Sequence, residues 1–298
     1  MSEKRFNIAG LGELLWDVLP TGKQPGGAPA NFAYISSQLG DCGIVASRVG
    51  NDSNGREIID ILNLAGLKTD SIQIDENLST GTVDIELKNG QPSYTINEGV
   101  AWDFLELTAN WRKLALNCDA VCFGSLAQRN PVSRNTIHEF LSLTKRSAER
   151  VFDVNLRQDY FSQDVLQNSL NAATIAKLNH EELPIVAEMF KIRGLTEAER
   201  IKNIREKFDL KLVCITRGAN GSLLVSANAI SEHAGIKVEI ADTIGAGDAF
   251  TAAMIHGVLR GWNLDEINRK ANRVAAFVAS QRGAMPEIRI AETNLNSE

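Results

Sequence analysis

Residues 5–66 open the chain as RFNIAGLGELLWDVLP (5–20), KQPGGAPANFAYISSQLG (23–40), CGIVASRVG (42–50) and SNGREIIDILNLAG (53–66). The apolar run 5–12 predicts a buried strand. Residues 13–19 continue it in extended form, with Glu13 and Asp17 carrying charge in apolar surroundings. Gly26 and Gly27 predict a turn. Pro29 suits the first turn of a helix that runs to about Leu39 and stops at Gly40. Residues 42–49 predict a second buried strand, and 53–65 an amphipathic helix ended by Gly66. This β, α, β, α order is the mark of a parallel sheet covered by helices.

From about Asp70 to Asn97 the pattern changes to short alternating runs, SIQID (71–75), TVDIELK (82–88) and SYTIN (93–97). Asn89-Gly90 and Pro92 supply turn signals between the last two. Alternation implies one wet and one dry face. These runs predict a small antiparallel sheet inserted into the α/β unit, joined by residues 13–19 and standing over a site or a partner subunit. After Trp102 the α/β rhythm returns. Helices are expected over 108–116, 132–146 and 165–176, with strands over 120–124 and 150–155 and a short apolar piece leading to Asn179. Residues 181–207 read as two helical pieces broken near Gly194, then strands at 212–216 and 221–226. Helices at 246–260 and 264–281 close the core. The expected organisation is an α/β core of 1–12, 25–68 and 100–298 with a β lid of 13–24 and 69–99.

The 298 residues are 44% hydrophobic, enough for a large core, and the net charge of −6 gives no footprint for nucleic acid or an anionic membrane. No run reaches the ~18 apolar residues of a membrane-spanning helix. The first residues lack the apolar core of a signal peptide, so a soluble cytoplasmic protein is expected. Cys42, Cys118, Cys122 and Cys214 lie in or beside apolar runs and read as buried free thiols, with Cys118 and Cys122 on one face of a strand. His138, His180, His233 and His256 are scattered and pair at no ligand spacing.

The stretch 242–250, DTIGAGDAF, sets two glycines before a long apolar helix. It reads either as a strand-to-helix turn with a capping aspartate or as a cradle for phosphate. In the second reading the N–H groups of Ala246, Gly247 and Asp248 hold the moving phosphate. Asp248, ionised with a pKa of about 3.9, takes a proton from the acceptor. GGAPAN at 26–31 reads as a helix-start turn or as a polyol contact through Asn31, with Asp17 just upstream. Asp153-Val-Asn155-Leu-Arg157 ends a strand, where parallel sheets bind ligands. Asn179-His-Glu-Glu182 opens a helix, and Glu182 suits magnesium held through water or simple dipole complementation. Thr216-Arg-Gly218-Ala-Asn-Gly221 taken alone is a hairpin turn. Gly10-x-Gly12 lacks the third glycine and the helix of a dinucleotide fingerprint.

Taken in order, these motifs resemble those of the ribokinase-like (PfkB) carbohydrate kinases over essentially the whole chain. GGAPANFA at 26–33 looks like the first family signature and DTIGAGDAF like the second. Asn179 and Glu182 match the Asn-x-x-Glu element between them, and Thr216, Gly218 and Gly221 match Thr-x-Gly-x-x-Gly. GELLWDVLP (12–20), GSLAQR (124–129) and VNLR (154–157) look most like fructokinases. The resemblance implies a three-layer α/β/α core with a mainly parallel sheet and a β-sheet lid that in several relatives also clasps a dimer. It implies Asp248 as base, with Gly245, Ala246 and Gly247 completing the anion hole. Asp17, Gly26, Gly27, Asn31 and Arg157 would face the sugar. Asn179, Thr216, Gly218, Gly221, Gly245, Gly247 and Asn272 would border ATP. Glu182 and Asn179 would organise Mg²⁺. Asp242, Ile244, Val278, Gln281 and Gly283 match the positions around a monovalent cation, K⁺, with Glu287 where the family has a hydroxyl. Two departures stand out. Residues 94–103 carry no arginine to reach the substrate, and the family's Asp-Pro-Asn-Leu-Arg is Asp-Val-Asn-Leu-Arg here.

The expected activity is transfer of the ATP γ-phosphate to a primary hydroxyl of a small sugar, fructose first. Ribose, 2-keto-3-deoxygluconate and adenosine are alternative acceptors. A silent sugar or nucleotide sensor on the same fold is the rival from another class, and an intact Asp248 argues against it. Expected partners are the sugar and ATP, without nucleic acid or membrane, in a chain that dimerises through its lid.

Overall fold

Runs such as AVCF at 120–123 and LVCIT at 212–216 have no polar side to turn outward, and such strands are stable only where helices cover both faces of a sheet. The computed structural model describes residues 4–19, 22–88 and 91–288 and shows that arrangement. The chain runs β1 (Asn7–Leu11), β2 (Leu15–Leu19), β3 (Gly22–Gly26), α1 (Ala28–Gln38), β4 (Cys42–Gly50), α2 (Ser53–Leu64), β5 (Ile72–Asp75), β6 (Gly81–Lys88) and β7 (Gln91–Ile96). It continues as α3 (Ala109–Asn117), β8 (Ala120–Phe123), α4 (Pro131–Leu143), β9 (Glu149–Asp153), α5 (Gln163–Ala172), β10 (Ile175–Asn179), α6 (Glu182–Met189) and α7 (Glu197–Lys207). The last elements are β11 (Leu212–Thr216), β12 (Ser222–Ser226), β13 (Ile230–His233), α8 (Ala246–Leu259) and α9 (Leu264–Ala279).

Nine strands form the central sheet in the order β13-β12-β11-β10-β9-β8-β1-β4-β5, parallel except at β12 and β13. One face packs on α3 to α7 through residues such as Trp111, Phe140, Leu166, Val186 and Ile204. The other packs on α1, α2, α8 and α9 through Phe32, Ile58, Met254 and Val274. Three layers result, as expected. Chain order reverses at β1, which sends the chain outward to β4 and later receives β8 on its other side. The crevice outside the strand ends at such a reversal is where open α/β sheets bind ligands.

A second, four-stranded sheet has the order β3-β2-β6-β7. It is mixed, because β2 and β6 run parallel. Residues 72–75 do not join it: β5 pairs in parallel with β4 at the edge of the central sheet, which corrects their assignment to the lid. The short apolar piece before Asn179 is β10, which lies between β9 and β11. The expected helix over 165–176 ends at Ala172, capped by Ser162 at its start. Residues 22–26 and 230–233 form strands where no strand was expected. The expected Asn89-Gly90 turn lies outside the described residues. Cys118, Cys122 and Cys214 are buried free thiols, while Cys42 is only half-buried and Cys118 caps α3 instead of sharing a strand face with Cys122. Among the described residues no helix is long and apolar enough to cross a membrane.

Candidate active site

Both sheets contribute to one pocket of about 930 Å³. From the core come Glu13, Gly27, Asn31, Asn155, Arg157, Lys177, Thr243, Gly245, Gly247 and Asp248, and from the small sheet Leu15, Asp17, Leu19, Val83, Tyr94 and Ile96. Helices α1 and α8 both begin at this pocket, and neither has a side-chain cap. Gly245 is the N-cap of α8 at φ 77°, the left-handed region that favours glycine, and a Cβ there would stand 2.6 Å from the Ala284 methyl. Of the three N–H groups expected to cradle a phosphate, that of Ala246 turns to the Thr243 carbonyl at 3.3 Å. Those of Gly247 and Asp248 bond to no backbone carbonyl among the described residues. An uncapped helix start of this kind attracts an anion through its free N–H groups and dipole.

The two motifs at opposite ends of the chain meet here. Asn31 Nδ2 donates to Asp248 Oδ2 at 2.8 Å, across 217 residues of sequence. That bond fixes the Asp248 carboxylate at the junction of the α1 turn and the α8 turn. Burial, then the neighbouring Asp153 carboxylate, raises the Asp248 pKa to about 6. The expectation of an unperturbed carboxylate is therefore corrected: desolvation outweighs the help of the helix start. Asp248 is still mostly ionised at pH 7, and it is a better base than an ordinary aspartate.

Two further carboxylates share the pocket. Asp17 on β2 is raised to about 6, chiefly by burial, with Arg157 opposing the shift. Gly26 does not line the pocket; its missing Cβ leaves the space that the Asp17 carboxylate occupies. Glu13, in the connection between β1 and β2, is 4% exposed and is pushed to about 7, again mainly by burial. Its Oε2 and the Asn31 Oδ1 are buried without a hydrogen-bond partner, two acceptors that a substrate hydroxyl would satisfy. Arg157 is exposed at the pocket wall on the β9–α5 loop, where Asn155 (φ 42°) and Gln158 (φ 46°) adopt the left-handed region. That loop is tied to β7 and the residues after it: Gln158 Nε2 donates to the Tyr94 carbonyl at 2.7 Å, and Tyr160 Oη donates its one proton to Glu98 at 2.7 Å, with the Ile96 carbonyl 3.3 Å away. Arg129 stands behind it, paired with Asp103 and stacked on Trp102 and Tyr160, so it is not the substrate-facing arginine absent from 94–103.

Of the remaining expected residues Ile244 lines this pocket, and the others lie outside it. Asn179 and Thr216 are register partners at the ends of β10 and β11, with Gly218 and Gly221 in the turn to β12. Asn179 Oδ1 caps α6 by accepting the N–H groups of Glu181 and Glu182. Gly221 lies so close to the His233 carbonyl that no Cβ fits. Asn272 is buried, and its Nδ2 donates to Ser222 Oγ, the Asn268 carbonyl and Asn268 Oδ1, so that nitrogen ties α9 to β12. Glu182 is 4% exposed, and its two oxygens accept the N–H groups of Leu156 and Asn179 at 2.8 Å each. Among the described residues no group of three or more His, Cys, Asp or Glu is arranged to hold a metal ion. With one lone pair of each Glu182 oxygen already engaged by a backbone N–H, that carboxylate suits an ion held through water. At the expected cation site, Asp242 Oδ1 accepts from Ile244 N at 3.0 Å and Oδ2 from Gly283 N at 3.3 Å. The Val278 carbonyl accepts from Gln281 N at 3.0 Å, so the five residues stand on two turns joined by Asp242. Burial, and then the charge of Glu287, raise the pKa of Tyr34 on α1.

Sequence reading marked Glu13 as charged in apolar surroundings but gave it no role, and it missed Lys177 altogether. Lys177 is hidden inside the run IAKLN, where a lone charge in a central strand is the signal that finds it.

The profile of the pfkB family carbohydrate kinases matches residues 8–290. The chain belongs to the pfkB family of carbohydrate kinases. Among its relatives is the uncharacterized sugar kinase PH1459 of Pyrococcus horikoshii, 34% identical over 93% of this chain and 91% of that protein. The Escherichia coli fructokinase is 28% identical over 92% of this chain and 94% of its own. The crystal structure of PH1459 in complex with ATP superposes with a TM-score of 0.81, at 32% identity and 96% coverage of both chains. The Vibrio cholerae fructokinase, solved with fructose, ADP and calcium, superposes with a TM-score of 0.78, at 25% identity and 95% coverage of both chains. This kinase thus keeps the family architecture from β1 to the end of α9.

Proposed function

We propose that this carbohydrate kinase transfers the γ-phosphate of ATP to a primary hydroxyl of fructose. The observation that carries the reading is the Asn31–Asp248 bond, which puts a raised-pKa carboxylate between a pocket lined by buried hydrogen-bond acceptors and an uncapped helix start. Similarity to PH1459, crystallised with ATP, and to a fructokinase crystallised with fructose and ADP supports the choice of both substrates. In the proposed reaction the sugar hydroxyls bond to Asp17, Asn31 and Glu13, and Arg157 closes the outer wall. Asp248 accepts the proton of the attacking hydroxyl. The N–H groups of Gly247 and Asp248 receive the charge that gathers on the transferring phosphoryl oxygens. Such transfer has a loose transition state, so alignment and charge stabilisation count for more than early proton removal. Asn179, Thr216 and Gly218 form the nucleotide edge, with Gly221 shaping its turn. Mg²⁺, when bound with ATP, draws charge from the phosphates. Glu182 would hold it through water, with the lone pairs that Leu156 and Asn179 leave free. A monovalent cation would rest on the turns at 242–244 and 278–283. The small sheet acts as lid, and its outer face as the dimer contact, which sedimentation velocity tests directly.

A coupled ADP-release assay across fructose, ribose, 2-keto-3-deoxygluconate and adenosine decides the acceptor. Turnover is expected on fructose with the highest kcat/KM, and no turnover on fructose sinks the assignment.

A further inference from the structure

A fully buried ammonium group is costly unless anions surround it. Lys177 is 6% exposed on β10, opposite Asp153 of β9 in the sheet register. Its Nζ lies 3.1 Å and 3.2 Å from the two Asp153 oxygens. Asp153 Oδ2 in turn accepts a hydrogen bond from Thr251 Oγ1 of α8 at 3.0 Å. On its other side the ammonium reaches the helix start: a Cβ on Gly247 would stand 3.3 Å from Nζ. Lys177 also lines the pocket.

The charges around Asp248 explain why a cation is needed at this point. Asp248 is faced by Glu13 from the β1–β2 connection, Cys122 from β8, Asp153 from β9, Arg157 from the β9–α5 loop and Lys177 from β10. Glu182 at the start of α6 acts on Lys177 from behind. Four carboxylates thus crowd the place where an anionic phosphoryl group must arrive. Arg157 is exposed and screened by water, whereas Lys177 is buried, where a charge acts at lower dielectric.

We propose that Lys177 is a positioning residue for phosphoryl transfer: clamped by Asp153, its ammonium holds the Gly245–Asp248 turn and keeps Asp248 a carboxylate able to take the hydroxyl proton. The inference rests on Asp248 being the base. Arrival of the phosphoryl group then adds negative charge beside a cation already paid for by folding, and Asp248 is not driven to protonate before the hydroxyl is aligned.

The test is the pH profile of kcat/KM for the sugar at saturating ATP and magnesium. In Lys177→Met the acidic limb is expected to move up by about one to two pH units, because an opposite charge has left the carboxylate. Activity at pH 6.5 then falls roughly tenfold further than at pH 8.5. Lys177→Arg should return the limb toward wild type. Asp153→Asn should move it down, because a like charge has left. A uniform loss across pH, or an unmoved limb, overturns the proposal and leaves Lys177 a structural ion pair. If Lys177→Met fails to fold by circular dichroism, Lys177→Gln, which keeps a hydrogen-bond donor for Asp153 without the charge, decides: a limb that moves up supports the proposal, and one that stays overturns it. Asp248→Asn separates the two readings. Retained activity there removes the base itself, whereas an inactive Asp248→Asn beside an unmoved limb in Lys177→Met removes only the role of Lys177.

Discussion

At the residue scale the site is a set of carboxylates whose ionisation the fold makes difficult. Asp248 is raised to about 6 by burial and Asp153, so kcat/KM should fall below pH ~6 as the base takes up its proton. Asp248→Asn keeps the Asn31 contact but offers no basic oxygen; a fall in kcat of about 10²- to 10⁴-fold is expected, with ATP binding by calorimetry unchanged. Glu13 yields a stability prediction. Its folded pKa of about 7 lies above the ordinary 4.5, so the folded state favours the protonated acid. The cost of the buried anion is absent at low pH and grows as pH rises through 7. It amounts to at most about 3 kcal/mol. Glu13→Gln should therefore melt higher than wild type at pH 8, with the gap closing toward pH 5. A gap that does not depend on pH would show that Glu13 is not held as described.

At the element scale the decisive pieces are two helix starts. Glycine at 245 sets the left-handed turn that frees the first N–H groups of α8, and Ala284 closes on the space where a side chain would be. Gly245→Ala should cost about 1–3 kcal/mol from backbone strain alone. It should also lower kcat by displacing the N–H groups of Gly247 and Asp248; denaturant melts and steady-state kinetics report the two effects separately. The β9–α5 loop joins core to small sheet through Gln158 and Tyr160. Tyr160→Phe removes the bond to Glu98, and a rise in sugar KM with little change in kcat is expected if the loop seats Arg157 against the sugar.

At the scale of the whole molecule, one buried carboxylate binds the two ends of the core. Asp41, fully buried before β4, accepts from Phe6 N, from His256 on α8 and from both terminal nitrogens of Arg260. Although burial raises its pKa, the bonds from His256 and Arg260 outweigh that and hold it below the ordinary value. The stabilisation is present above the unfolded pKa and is lost as pH falls through the folded one. Asp41→Asn should cost about 3–5 kcal/mol at pH 7 by leaving Arg260 and His256 unpaired. The deficit should shrink below pH ~4, as thermal melts across pH will show.

Hydrophobic period and turn chemistry determined the α/β class, the layered core and the two signature turns, because these are local properties of side-chain order. They named Asp17, Gly27, Asn31 and Asp248 as candidates, and all four line the pocket. Local pattern failed where pairing decides. IQID at 72–75 alternates like a lid strand, yet it lies against β4, and no residue within it records which edge is free. Ile175 and Ala176 extend the expected helix and the rest of IAKLN is too short to declare a strand, and the lysine within it is tolerable because Asp153 on the neighbouring strand pairs with it. The same holds for ionisation. Sequence supplies the carboxylates, but their pKa values follow from burial and from neighbours far away along the chain. Those distances exist only once β1, β9, β10 and α8 have closed around one crevice.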